Sequence, residues 1–445
     1  MSDDALGLLE GLIDKAKRAG ADAADALILE SRALSHARRL GEVERIEGEE
    51  SRDLGLRVLI GRRQANASST DFGTAALDEL VERAVSMAKI VPEDPYCGLA
   101  PAELLAGERP ETDICDPVEP DTQVLIDRAR ACEDAARAVA GVTNSEGAES
   151  SWGVSSVSLV ASNGFSGHYA RSGHSFATAV LAGEGQGMER DYDFASAVYG
   201  EDLEDPAAIG RQAGERAVRR LGARKPRTAA LPVVFDPRVA GSLLGHLAGA
   251  INGAAVARGT SFLKGAMDQP VFAGGINVVD DPHRTRGLRS KPFDGEGVAN
   301  RRRELVADGH LRSWVLDLAA ARQLGLETTG HATRGTGGPP SPATTNLYME
   351  PGAESPEALI GAIDEGFYVT ELMGMGVNLI TGDYSRGATG FWIEKGALTY
   401  PVSEATVAGH LKKMFAHTTP ANDLAFKYGT NAPTLLVEGM TVAGN

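Results

Sequence analysis

Residues 241–262, GSLLGHLAGAINGAAVARGTSF, constrain this chain more than any other stretch. No charged residue lies between Arg238 and Arg258, and Gly241, Gly245, Gly249 and Gly253 recur at every fourth position. On a helix that spacing lines the glycines along one stripe, because residues four apart stack one above the other. Each glycine inside a helix costs about 1 kcal/mol relative to alanine, so the pattern is tolerable where another backbone approaches the stripe closely. Leu243, Leu244, Leu247 and Ile251 fill the adjoining faces. The uncharged run is near the lower length limit for crossing a bilayer. Ser242, His246, Asn252 and the glycines make it too polar for that, so the expectation is a helix buried in a large domain.

One histidine stands on this helix. A metalloprotease helix carries two histidines one turn apart, with a glutamate base between them. Around His246 the positions that could hold a second ligand are Ser242, Gly249, Ala250 and Gly253, and no carboxylate occurs in the stretch. These residues favour a core or interface histidine over a metal ligand.

The chain has 445 residues, too many for one ordinary core, and its patterning divides it in three. Residues 1–110 and 111–227 each read as a helix, an antiparallel meander and a second helix. In the first, Leu8, Leu9, Leu12 and Ile13 mark an amphipathic helix over about 3–19. The acidic start and helical spacing argue against a secretory signal. Short β-like runs follow (DALILES, LSHARR, VERIEGEE, LGLRVLIG, RRQANASST), then the helix TAALDELVERAVSMAKIV. A Pro-rich, acidic linker covers 91 to about 120. The second module has helices near 121–140 and at DPAAIGRQAGERAVRRLG, with strand-like SSVSLVASNG, FSGHYARSGHSF and ATAVLAGEG between them. Residues 228–445 form a glycine-rich, β-rich third part that carries the opening helix, with further helices expected near 313–324, 355–366 and 403–416. The fold class is therefore α+β.

Sixty-one acidic against 44 basic side chains give a net charge of −17, which disfavours direct nucleic-acid binding. Cys97, Cys115 and Cys132 are few and lack C-x-x-C spacing, as expected of reduced thiols in a cytoplasm.

Several later segments invite a chemical reading. GVNLITGDYSRGATGFWIEKGALTYPV (376–402) reads as strand VNLI, turn TGDYSRG, strand TGFWIE, a second turn at EKGAL, and a third strand. Asp383, Tyr384 and Arg386, with Asn378 and with Asn346 upstream, are candidate contacts to a substrate or partner. Asp383 alternatively satisfies turn amides. ETTGHATRGTGGPPSPATTNLYMEPG lacks a phosphate-loop motif, and Pro339, Pro340 and Pro342 remove amide donors. It reads as a substrate-facing loop leading to a strand, which would accept an extended peptide if it lay at a sheet edge. VVDDPHRTRGLRSKPFDGEGV groups Asp280, Asp281, His283, Asp294 and Glu296 with Arg284, Arg286, Arg289 and Lys291. Salt-bridged loop structure is favoured there over a cation site. NRRREL (300–305) reads as a solvated strand face, and no G-x-S-x-G nucleophile motif occurs.

GSLLGHLAGAINGAAVARGTSFL, DDPHRTRGLRSKPFDGEGV, GMGVNLITGDYSRGATGFWIEKGALTYPVSEATVAGHLKKMF and LLVEGMTVAGN together resemble the TldD/PmbA proteins, also called modulators of DNA gyrase. The resemblance spans nearly the whole chain, is strongest from 230 onward, and points to the PmbA/TldE branch. It implies a metallopeptidase family in which TldD subunits bind zinc through H-E-x-x-x-H and a cysteine near the carboxyl end. Against that pattern the first histidine falls on Gly245, the glutamate on His246 and the second histidine on Ala250, and no cysteine follows Cys132. The resemblance therefore implies no catalytic or metal residue and no cofactor in this chain. It implies a cytoplasmic subunit that pairs with a TldD-type, zinc-bearing chain to cut unfolded or small peptides, or forms a homodimer when alone. No nucleic acid or membrane partner is expected. Two other readings stay open: an enzyme acting alone through the 280–296 acid/histidine loop, and a binding modulator of DNA gyrase.

Overall fold

The computed structural model describes residues 2–444. The N-terminal half contains α1 (Ser2–Arg18), β1 (Ala23–Arg39), β2 (Glu42–Ile60), β3 (Arg63–Ser69), α2 (Thr74–Ile90), α3 (Thr122–Arg137), β4 (Val142–Ala161), β5 (Ser166–Ala182), β6 (Glu189–Ala197) and α4 (Pro206–Arg219). The two helix–meander–helix modules are halves of one antiparallel sheet in the order β3-β2-β1-β4-β5-β6, joined where β1 pairs β4 from Asp25–Ala161 to Arg38–Ala148. DALILES and LSHARR, expected as two strands, form one strand of 17 residues, and β2, β4 and β5 run to 19, 20 and 17 residues. Their interior Ser, Gly and Glu residues are not turns, because continuous pairing with at least one long neighbouring strand, on both sides for most of β1 and β4, supplies the ladder partners. Alternation then sorts the faces. Ala24, Ala26 and Ile28 pack under α1 and α2, while Leu27 and Leu159 point the other way, toward Phe293 of the C-terminal part.

The C-terminal part begins with β7 (Ala229–Phe235), α5 (Pro237–Ala250), α6 (Gly253–Ala257), β8 (Val278–Asp280), β9 (Arg303–Ala307), β10 (His310–Leu311), α7 (Leu318–Leu324), β11 (Ala332–Thr333), β12 (Ser341–Pro342) and β13 (Leu347–Met349). It continues through α8 (Pro356–Gly361), β14 (Glu365–Met373), β15 (Asp383–Glu394), β16 (Ala397–His410), α9 (Leu411–Ala416), β17 (Thr418–Pro420), β18 (Thr430–Asn431) and β19 (Leu435–Ala443). One sheet runs β16-β15-β14-β7-β19-β17 and closes on itself where β16 also pairs β19. A second runs β10-β9-β8-β13-β18. Helix α5 packs between them against β7, β13, β14 and β18, and its Leu243, Leu244 and Leu247 join the largest core.

Four expectations change. The glycine-rich stretch is two helices, because the amide of Gly253 donates to the Val315 carbonyl at 2.8 Å and the Asn252 side chain starts α6 by accepting from Ala254 and Ala255. The helix expected over 403–416 is mostly strand, since β16 is held by β15 and β19 and only 411–416 is helical. VNLI is loop, not strand, joined to β15 by a single bridge from Val377 to Tyr384, and the strand begins inside the expected turn, at Asp383. A three-strand meander is present, but β14 takes the place of VNLI as its first strand, so its first turn covers 374–382. Finally, β13 lies between β8 and β18, so it offers no free edge to a peptide.

Candidate functional site

Asp236 caps α5 by accepting the Arg238 amide, and Pro237 takes the first helical position, where no N–H is needed. The glycines on this helix have unlike surroundings. A Cβ on Gly241 would lie 2.9 Å from the Thr430 carbonyl, and one on Gly249 would lie 2.7 Å from Leu379. Those two are close-approach positions. Gly253 belongs to α6, where a Cβ would meet Leu316 at 2.4 Å. Gly245 is exposed, and a Cβ there would meet nothing within 4 Å. So α5 is buried on one side and open on the other.

His246 is half-buried beside this opening. Its ring meets Tyr384 edge to face at 5.8 Å. Burial, reinforced by the nearby Arg386 guanidinium, pushes the imidazole pKa down to about 4, so the ring is neutral at physiological pH. Burial likewise pushes the Tyr384 phenol well above its ordinary range. His246 Nε2, the Tyr384 hydroxyl and Arg386 Nε are all buried without a hydrogen-bond partner among the described residues. Arg386 is steered by a bond from Nη2 to the Leu372 carbonyl at 3.3 Å. Buried polar atoms left unpaired in this way mark a place to look for a ligand or partner group.

The structure brings His246, Tyr384 and Arg386 together but gives Asn378, Asp383 and Asn346 other work. Asn378 Oδ1 accepts the amides of Ile380 and Thr381, and Asp383 accepts the Thr381 hydroxyl at 2.7 Å, so both shape the 377–383 turn. Asn346 is fully engaged: Nδ2 donates to the Asp281 carbonyl and the Ser290 hydroxyl, and Oδ1 accepts the Arg289 amide. It clamps the 281–290 loop onto β13.

Within that loop the acids are held mainly by backbone amides, not by the neighbouring bases. Asp280 accepts from Thr345 and faces His331 Nε2 at 3.1 Å, while Asp294 accepts three amides. His283 Nε2 faces Asn300 Oδ1 at 2.7 Å. Glu296 is pushed up to about 8 by burial and by Asp294, which keeps it protonated at neutral pH. Arg286 instead pairs with Asp113, Glu201 and Asp202, and Arg284 stacks on Phe426. The salt-bridged loop of the sequence reading is therefore an amide-bound loop with its arginines turned outward to other segments.

A zinc ion does not fit α5. Gly245 offers no donor, Ala250 offers a fully buried methyl group, and the single imidazole faces a phenol and a cationic guanidinium. Among the described residues, no group of three or more His, Cys, Asp or Glu side chains is arranged to hold a metal. Among the described residues, no helix is long and apolar enough to cross a membrane.

Comparison with known proteins adds an independent line. Models of the PmbA/TldA metallopeptidase match in succession, domain 1 over residues 24–88, the central domain over 115–221 and the C-terminal domain over 228–444. The metalloprotease PmbA of Escherichia coli O157:H7 is 38% identical over 427 residues, 95% of this chain and 92% of its own. The crystal structure of a proposed modulator of DNA gyrase from Bacteroides thetaiotaomicron is 26% identical, with a TM-score of 0.91 covering 99% of this chain and 98% of that one. TldE from Thermococcus kodakarensis shares the fold, with a TM-score of 0.88 over 98% of this chain and 100% of its own at 21% identity.

Proposed function

The chain belongs to the PmbA/TldD metallopeptidase family, and on that premise we propose that it is a non-catalytic subunit completing a TldD-type zinc peptidase. The observation that carries this reading is the donor set on α5. Where the family resemblance places ligand, base and ligand, this chain has Gly245, His246 and Ala250. The helix keeps its core packing while the groups that would activate a water are gone. In this reading the zinc and the general base belong to the partner, and this chain supplies structure and contacts.

The open side of α5 is the proposed contact region. Tyr384 and Arg386 stand beside it, on a strand that begins at Asp383 after the turn shaped by Asn378. The end of β14 and the loop after it expose Met373, Met375 and Ile380, an apolar group that a partner surface would cover. The substrates are unfolded or small peptides and the compartment is the cytoplasm, in keeping with the three free cysteines.

The test is reconstitution. The purified chain should cleave no unfolded peptide by itself, and cleavage should appear when it is mixed with a TldD-type chain from the same source. Chelator-sensitive cleavage by the isolated chain would refute the proposal.

A further inference from the structure

The inner face of the N-terminal sheet and the 289–295 loop enclose a cleft of about 270 Å³, well away in sequence from α5. Its floor is apolar: Leu27 and Leu29 of β1, Leu159 of β4, and the rings of Tyr169 and Phe293, which meet edge to face at 5.3 Å. Its walls are cationic. Arg171, Arg289, Lys291 and Arg334 line it, against one acid, Asp294.

That acid is already engaged. Asp294 accepts the amides of Glu296, Val298 and Ala332, and burial raises its pKa toward the neutral form. Of the four cations, Lys291 opposes its charge electrostatically, and the three arginines make no bond to it. Arg334 bonds Asp25 through Nη1, but its side chain is 2% exposed and its buried Nε has no acceptor. Lys291 gives one N–H to the Ala332 carbonyl at 2.8 Å, and burial lowers its pKa, the direction a bound anion would reverse. Among the described residues, Arg171 and Arg289 have no acidic partner, and Arg289 reaches only the Thr430 hydroxyl at 3.4 Å. The Asn346 clamp fixes the Arg289 backbone at the mouth.

Guanidiniums and an ammonium gathered over an apolar floor complement an anion carried on an apolar body. The cleft is too small for an extended chain. We propose that it binds the carboxylate of a small apolar acid, chiefly the C-terminal residue of a peptide. Arg171, Arg289, Lys291 and Arg334 surround the carboxylate, and the side chain packs on Tyr169 and Phe293. The peptide as source rests on the proposed role in peptide hydrolysis; the anion site itself does not.

Calorimetric titration of the full chain alone, without partner or zinc, separates this inference from that role. The probes are acetyl-Ala-Ala-Phe with a free carboxylate, the same peptide amidated, N-acetylphenylalanine, and acetate. The free-acid peptide should bind at least 10-fold more tightly than the amide and more tightly than acetate. Arg171→Ala and Arg289→Ala should each weaken it at least 5-fold while leaving the thermal midpoint unchanged, since neither side chain is in an ion pair. N-acetylphenylalanine binding as tightly as the peptide would support the site and assign it to the free acid. Equal binding of acid and amide, no binding by either, acetate binding as tightly as the peptide, or native-like affinity in both arginine variants would overturn the inference.

Discussion

Replacing Asp25 by Asn should unlatch the two halves of the molecule. Asp25 of β1 accepts Nε of its cross-strand neighbour Arg57 at 3.0 Å, and it also bonds Arg334, which follows β11 in the C-terminal part. The three side chains are 3%, 4% and 2% exposed. Backbones meet here too: a Cβ on Gly55 of β2 would lie 2.6 Å from the Thr336 carbonyl. Asn keeps the shape of Asp25 but leaves two buried guanidiniums without their counter-charge. Removing one partner of a buried ion pair costs about 3–5 kcal/mol, a large share of the roughly 5–15 kcal/mol that holds a folded protein together. Urea unfolding at pH 7 reads the loss directly. Adding Arg334→Met to Asp25→Asn should recover part of it, because one orphaned cation goes. The sign with pH is fixed. Burial alone would raise the Asp25 carboxyl, but Arg334 and Arg57 override it and hold it below the usual carboxylate range. Its contribution is thus complete above the unfolded value of about 4 and fades as pH falls through the folded value. The Asn penalty should shrink in that acid range. A loss below about 1 kcal/mol at pH 7 would show that the triad is not a buried latch.

Three further outcomes follow from the same structure. Glu296, held up to about 8, keeps a proton that the unfolded chain releases, so native stability falls between about pH 4 and 8; Glu296→Gln should raise the thermal midpoint at pH 9 and leave it near native at pH 5. His246, held down to about 4, remains neutral where unfolded histidine protonates, so stability falls as pH drops from about 6.5 to 4; His246→Gln should lose less over that interval in urea unfolding. Gly245→His points into open space and should cost under about 0.5 kcal/mol, whereas Ala250→His enters a fully buried site and should cost about 1–3 kcal/mol by overpacking, with denaturation midpoints as the readout.

What could be read from the chain was what local pattern dictates. The helices at both ends of the N-terminal modules, the hairpin turn at Lys395–Gly396 with both φ angles positive, and the lone histidine on an apolar helix all follow from spacing and turn chemistry. What could not be read depends on distant partners. Asn252 breaks the glycine-rich helix because Val315 waits to pair there. VNLI has the apolar alternation of a strand, yet Leu379 sits against Gly249 and its carbonyl accepts the Phe262 amide, which pins the segment as a loop. SEATVAGH contains good helix formers, and strands on both sides outvote them. The positions of Gly245, His246 and Ala250 were visible in the sequence. The meeting of His246 with Tyr384 and Arg386, and of Asp25 with Arg57 and Arg334, required the fold.

The central claim, that the metal of the working peptidase belongs to another chain, is tested most directly by counting zinc. Elemental analysis of this chain purified alone, after equilibration with zinc, should give far less than one ion per chain. The complex with a TldD-type subunit should give one ion per pair, unchanged when His246 is replaced by Gln. One tightly held zinc on the isolated chain, lost in the His246→Gln variant, would contradict the account.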